Sequence, residues 1–143
     1  MPRIALVNMI IGFAVLTCTV LAGAFLVSAI NDGYLHDRSI LESWSHLLQK
    51  SAHGHSNLFG ILHVVFGLTL PYSVYTQRIK IWQTAGLSLG TFAMGPLLVV
   101  RSILGPTIDV DMLGVVVGSF LSLSLISLAS HTVGMTLKFL RHP

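Results

Sequence analysis

Charged side chains are scarce in this sequence, since Asp, Glu, Lys and Arg make up only 9% of its 143 residues. Soluble domains carry about 25% charged residues, whereas 53% of this chain is hydrophobic and its mean hydropathy is +0.81. The net charge of +3 reflects the small number of acidic residues, and the basic residues are scattered along the chain. The composition therefore predicts a membrane protein with no separate soluble domain, and it gives no indication of nucleic-acid binding.

Cysteine is nearly absent as well, with Cys18 as the single residue of its type. One thiol allows neither an internal disulfide nor a metal site built from several thiolates. We therefore interpret Cys18 as a small apolar residue inside a helix, and we look for chemistry among the seven histidines instead.

Long apolar runs, separated by short polar or helix-breaking segments, are the main pattern that is present. They predict an all-α, four-transmembrane-helix bundle in a single membrane domain, 1–143, with helices at about 4–30, 52–76, 81–104 and 109–139. The polar outer loop 31–50 contains apolar residues at helical spacing. We therefore expect a short amphipathic helix there, with Trp44 at the level of the lipid headgroups.

Five of the eight basic residues lie on one side of this topology, namely Arg3, Arg78, Lys80, Lys138 and Arg141, and the other three, Arg38, Lys50 and Arg101, lie on the opposite side. All acidic residues fall on the other side, so the positive-inside rule places both termini in the cytoplasm. In the fourth helix Gly114, Gly118 and Ser122 recur four apart, which favours close helix contact either inside the bundle or between subunits. Because a chain this short has little room to enclose a large ligand alone, we expect a homo-oligomer formed through the transmembrane helices.

The segment 51–71 begins with polar residues and continues into an apolar run. Successive helical residues turn by about 100°, and the residues that follow His53 on one face are Asn57, Gly60, Val64, Gly67 and Pro71. This face has a histidine at its polar end and little side-chain bulk along the rest of its length. Either a flat ligand or another helix backbone therefore fits against this face. We therefore select His53, Gly60, Val64 and Gly67 as candidate cofactor-binding residues.

Three histidines lie at membrane depth in this topology, where polar groups are costly and commonly functional: His53, His63 and His131. His131 lies about 30 Å along the fourth helix from its outer end and His63 about 17 Å along the second, so they are poorly placed to ligate one iron from both sides. For His53 the alternatives are axial ligation of a heme, another metal site with His55 and the outer aspartates, and an interfacial histidine without a ligand. For His63 and His131 we favour hydrogen-bonded packing between helices.

The residues Ala52-His53, Gly60 and Leu70-Pro71 make the second helix resemble that of the styrene oxide isomerases, which are small bacterial membrane proteins. The order of a long first helix, a polar loop, a basic turn and Gly-Pro before the fourth helix is also similar. The resemblance implies that His53 is the axial ligand of heme b in a helical oligomer of the bacterial cytoplasmic membrane. It further implies that the ferric iron acts as a Lewis acid, which opens an epoxide to an aldehyde.

The chain departs from this family around the substrate. Phe59 stands where the family has asparagine, and residues 94–100 are aliphatic apart from Gly95-Pro96, where the family has a tyrosine and other polar or aromatic residues. We therefore expect a small apolar epoxide as the substrate, with Phe59 and Leu98 as pocket walls and Asn57 as the amide that orients it. Two functions of other classes stay open, namely a heme b cytochrome in electron transfer and a heme-free packing or transport subunit.

Overall fold

The computed structural model describes residues 2–109 and 111–141, and this part of the chain is all α-helical, without strands. The predicted fold class is confirmed to that extent. There are four helices: α1 (Arg3–His36), α2 (Trp44–Thr69), α3 (Gln77–Leu104) and α4 (Met112–Arg141).

Three of these helices, α1, α3 and α4, are long and apolar enough to cross a membrane. The remaining helix, α2, has 26 residues, which is sufficient length, but its four histidines and other polar residues lower its hydropathy. Sequence analysis predicted a fourth crossing here. Helix α2 is therefore long enough to cross a membrane, but its composition is not uniformly apolar.

The connection between α1 and α2 is much shorter than the predicted loop 31–50. Helix α1 runs to His36, a short 3₁₀ turn covers Arg38–Glu42, and α2 begins at Trp44. The prediction of a separate amphipathic surface helix was therefore wrong, because residues 44–50 form the first two turns of α2. Ser43 caps these turns by accepting a hydrogen bond from the backbone N–H of His46 at 3.3 Å, and no Pro or Gly interrupts the helix before Gly54.

The other helix ends also differ from prediction. Helix α2 ends at Thr69, because Pro71 lies in the 3₁₀ turn Leu70–Tyr72 that follows. The residues 77–80, predicted as a basic turn, form the first turn of α3, and Pro96 converts Ala93–Leu97 of α3 into a π-helical turn. Helix α4 begins at Met112 rather than at 109, and Val110, which the prediction placed in this helix, lies outside the described residues.

The helices alternate in direction and pack mainly on their neighbours in the chain. Helix α1 packs along α2, and α3 packs on α4. At one end of the bundle, Lys138 Nζ donates to the backbone oxygen of Pro71 at 3.1 Å. At the other end, Trp44 Nε1 donates to the backbone oxygen of Arg101 at 3.4 Å. We refer to these as the Pro71 end and the Trp44 end.

Glycines allow α1 and α2 to touch backbone to backbone. A Cβ atom added at Gly12 would lie 2.6 Å from the backbone oxygen of Gly60, and one added at Gly67 would lie 2.6 Å from that of Ala5. Neither position has room for a side chain unless the helices separate. The close contact of α1 and α2 therefore depends on these small residues.

The predicted small-residue stripe of α4 does not pack inside this chain. Gly114, Gly118 and Ser122 are exposed, and no atom lies within 4 Å of a Cβ added at Gly118. The buried face of α4 consists of Ser124, Ser127, His131 and Gly134. The interpretation of this stripe as internal packing is therefore wrong for the part of the chain that the structure describes.

Candidate functional site

His53 lies on the face of α2 that packs against α1, near the Trp44 end. Its ring rests on Gly23, where an added Cβ would lie 2.8 Å from His53 Cε1. The imidazole is partly buried, and it lines two cavities between the helices. The ring therefore fits between α1 and α2 because Gly23 has no side chain.

The two cavities lie beside His53 and share Leu26 as a second wall. One has a volume of about 370 Å³ and extends to Val99 of α3, with Ala22, Phe25 and Ala29 among its lining. The other has a volume of about 420 Å³ and is lined mainly by apolar residues of α1, with Lys50 and Asn57 as its polar members besides His53. His53 is thus the polar group at the junction of two largely apolar spaces.

Contacts from two helices position the ring of His53. Asn57 Nδ2 lies 3.2 Å from His53 Nε2 on the same helix. Asn57 Oδ1 lies 2.6 Å from Thr19 Oγ1 of α1, and this hydroxyl also lies 2.9 Å from the backbone oxygen of Leu16. His53 Nδ1 is buried and has no hydrogen-bond partner among the residues described. Thr19 and Asn57 therefore orient the ring from α1 and α2.

The structure separates the predicted cofactor-binding residues. Gly60 and Gly67 are covered by the α1 backbone, and Val64 Cγ2 would lie 2.7 Å from a Cβ added at Gly12. Of the two occupants that the sequence allowed for this face, the helix backbone is the one present. A flat ligand has no room against Gly60, Val64 and Gly67, and only His53 of this set lines an open cavity.

The predicted catalytic residues are separated as well. Asn57 contacts His53, as the i, i+4 spacing on one helix suggests. Phe59 is only 5% exposed and belongs to the hydrophobic core, with its ring against Gly90. Leu98 lines neither of the two cavities, and its neighbour Val99 takes that place. In the structure, therefore, Asn57 lies beside His53, whereas Phe59 and Leu98 do not.

Sequence analysis did not find the contribution of α1 to this site. Thr19, Gly23 and Leu26 form one face of α1 at the i, i+4, i+7 spacing of a helix. Lys50 lines the site because α2 begins earlier in the chain than predicted. The signal was weak because α1 is apolar on all sides, so its pattern does not mark which face meets α2. The one available sign was a threonine and a glycine four residues apart.

The other two membrane-depth histidines have structural partners. His63 is fully buried, with Nδ1 3.0 Å from Asn8 Oδ1 and Nε2 3.1 Å from Thr91 Oγ1. His131 Nε2 lies 2.8 Å from Thr69 Oγ1, and its ring centroid lies 4.3 Å from that of Phe66. These are the interhelical hydrogen bonds that the packing interpretation expects, and both nitrogens of His63 are occupied.

A metal site of several protein ligands finds no support in the described ranges. No three His, Cys, Asp or Glu side chains converge within residues 2–109 and 111–141. His55 Nδ1 bonds instead to the backbone oxygen of Ser51 at 2.8 Å.

Comparisons with models of protein families, with curated proteins and with solved structures gave no match for this chain. The likeness to the styrene oxide isomerases accordingly rests on Ala52-His53, Gly60, Leu70-Pro71 and the order of the helices. In the structure His53 is the member of this set that borders the cavities together with Ala52, whereas Gly60 packs against α1.

Proposed function

We propose that this protein is a heme b-dependent membrane isomerase, which converts a small apolar epoxide into a carbonyl compound, with His53 as the axial ligand. The observation that carries the proposal is the position of His53, whose imidazole lies between two largely apolar cavities with Asn57 beside its Nε2. The resemblance to the styrene oxide isomerases in Ala52-His53 supports the choice of cofactor and of reaction.

The residues around His53 fit a heme in three respects. A heme-ligating histidine must offer a lone pair, and His53 Nε2, which now contacts Asn57, would offer one once that amide contact is released. The cavity of about 420 Å³ falls within the range of small-molecule and cofactor sites, which is about 300–1,000 Å³. Lys50, exposed and lining this cavity, supplies an ammonium group for a carboxylate of the cofactor. His53, Gly23, Leu26 and Lys50 are therefore the residues that would hold it.

The unpartnered Nδ1 of His53 favours Lewis-acid chemistry over electron transfer. Ligating histidines commonly donate their other N–H to an acceptor, which raises the basicity of the ligating nitrogen. His53 has no such acceptor among the residues described. If His53 held a heme, it would therefore be a weaker electron donor than a histidine whose second N–H is accepted, and this would favour Lewis-acid chemistry.

When bound, ferric heme supplies a Lewis acid that polarises the C–O bond of an epoxide. The chain's contribution is to bind an apolar substrate and to exclude water, because water would convert the opened epoxide to a diol. Ala22, Phe25 and Ala29 form the apolar walls, and Asn57 holds the amide beside the ring. In the substrate one C–O bond breaks and a hydride migrates to the adjacent carbon, so the product is an isomer and no net oxidation occurs.

We further propose that all four helices span the bacterial cytoplasmic membrane, with both termini in the cytoplasm. Helix α2 is shielded from lipid by contacts with α1 and α3, which accounts for its lower hydropathy. The basic residues of the Pro71 end support this orientation. The exposed stripe of Gly114, Gly118 and Ser122 on α4 supports a homo-oligomer, because small residues allow two helices to approach closely.

A heme titration of the purified protein tests the cofactor. Because His53 lines both cavities and neither His63 nor His131 lines them, we expect saturation at one heme per chain with a five-coordinate, high-spin ferric spectrum. A six-coordinate, low-spin spectrum would instead indicate the cytochrome. Failure to bind heme at all would indicate a heme-free packing or transport subunit.

A further inference from the structure

The cavity beside His53 that extends to Val99 continues into a further cavity at Ser56, one turn along α2. Both cavities have a volume of about 370 Å³, and both include Thr19 and Ser56 in their lining. The further cavity extends along α1 to Ile11 and along α3 to Ser88. The two cavities together form one long space, which we call the α1–α3 groove, and the part beside His53 is one end of it.

One continuous face of α1 forms the first wall of the α1–α3 groove. Its residues follow one another in steps of three or four, as on one side of a helix: Ile11, Val15, Thr19, Ala22, Leu26 and Ala29. One face of α3 forms the opposite wall in the same way: Ser88, Phe92, Pro96 and Val99. Helices α1 and α3 each pack on α2, which forms the floor between them. The groove therefore follows the helices along their length.

Small side chains on α1 keep the groove open on its outer side. Ala14, Cys18 and Ala22 line it and are exposed, and the rings of Phe25 and Phe92 at its rims are 80% and 49% exposed. Because α1 and α3 are both apolar enough to cross a membrane, this open side faces hydrocarbon in the proposed topology. The groove is therefore accessible to an apolar molecule from within the bilayer.

A single hydroxyl without a partner lies where the two cavities meet. Ser56 is only 9% exposed, and it makes no hydrogen bond to any residue described. The other hydroxyls of the further cavity differ, because Ser88 donates to the backbone oxygen of Thr84 and Thr91 to that of Leu87. A buried hydroxyl without a partner is costly. Ser56 therefore indicates a ligand with an oxygen at this point and apolar groups beyond it.

We propose that the α1–α3 groove binds an epoxide with a long, unbranched hydrocarbon chain, which enters from the bilayer. The epoxide oxygen lies beside Ser56 at the end near His53, and the chain runs from there to Ile11, about 12 Å along α1 from Thr19. The shared lining with the His53 cavity favours this occupant. A lipid acyl chain alone, or an apolar helix of a second copy, would leave the Ser56 hydroxyl unpartnered. The epoxide group rests on the proposed function, whereas the chain rests on the shape and lining of the groove.

Photolabelling of the heme-free protein in phosphatidylcholine nanodiscs tests the groove without any turnover. The probe is a long-chain alkyl methyl ketone, which offers one acceptor oxygen as an epoxide does, with a diazirine at the far end of its chain. Mass spectrometry is expected to find the label beside Cys18 and Phe92, and excess ketone without the diazirine is expected to abolish it. A diazirine next to the carbonyl is expected to label beside Ala22 instead. Label spread over all lipid-facing helices, or label that excess ketone does not displace, would overturn the groove as a binding site.

Ala14→Phe is expected to lose the label at the far end, because Ala14 lines only the further cavity and a phenyl ring fills that space. Ala24→Phe is the matched control, since Ala24 is also exposed on α1 and lines neither cavity. It is expected to label like the unaltered protein, and circular dichroism checks that both variants fold. Equal labelling of the two variants would contradict the path of the chain.

The labelling and the proposed reaction fail in different ways. A labelled groove in a protein that isomerises no epoxide would contradict the proposed function and the epoxide group, and would leave the chain-binding groove in place. Isomerisation of epoxides by a protein whose groove takes no label would contradict the groove alone.

Discussion

Replacing His53 with alanine is expected to abolish the Soret band of the heme-loaded protein while the chain stays folded and assembled. The reason is that His53 is the imidazole that lines both cavities. Its ring rests on Gly23 rather than in the core, so its loss leaves the close contact of α1 and α2 intact. The absorption spectrum, recorded with a size measurement of the detergent complex, checks both halves of this result.

His55→Ala is the matched control, because His55 is two residues away on the same helix and bonds to the backbone oxygen of Ser51. It is expected to keep the Soret band. An unchanged spectrum in His53→Ala would remove His53 as the ligand, and with it the proposed site between α1 and α2.

Gly12→Leu is expected to destabilise the bundle strongly. A Cβ at this position would lie 2.6 Å from the backbone oxygen of Gly60 and 2.9 Å from the backbone nitrogen of Val64, and backbone atoms of a helix cannot yield. The helices must separate, and we expect a loss of about 3 kcal/mol of unfolding free energy, at the upper end of the usual cost of overpacking. Reversible unfolding in mixed micelles measures it.

Gly54→Leu provides the control for a larger side chain on a helix, because no atom lies within 4 Å of its added Cβ. Its cost is expected to stay below about 0.5 kcal/mol. Equal stability of Gly12→Leu and the unaltered protein would mean that α1 does not lie against Gly60 and Gly67. That face would then be open to a flat ligand.

The four-helix order was predictable because long apolar runs mark membrane-type helices directly. The start of α2 was not, since apolar residues at helical spacing look the same in a separate surface helix and in the first turns of a longer one. No Pro or Gly at positions 44–52 distinguishes the two cases. In the structure, the cap at Ser43 marks the start of α2. A serine in a sequence does not mark a helix start by itself, because serines also occur in many loops.

Part of the site was likewise predictable from the sequence, and part was not. His53 and Asn57 were predictable as a pair, because their spacing on one helix places them together. Thr19 and Gly23 were not, since they reach His53 across an interface whose rotation a uniformly apolar α1 does not reveal. The sequence allowed a ligand or a helix against Gly60 and Gly67, and the packing of α1 decided between them.

Turnover of epoxides by the ferric, heme-loaded protein tests the central claim most directly. The assay supplies a panel of aryl and alkyl epoxides and measures carbonyl products. We expect at least one epoxide to give its isomeric aldehyde, with no diol, more slowly after dithionite because ferrous iron is the weaker Lewis acid. Heme-loaded protein that forms no carbonyl product from any epoxide, or forms diols instead, would contradict the account.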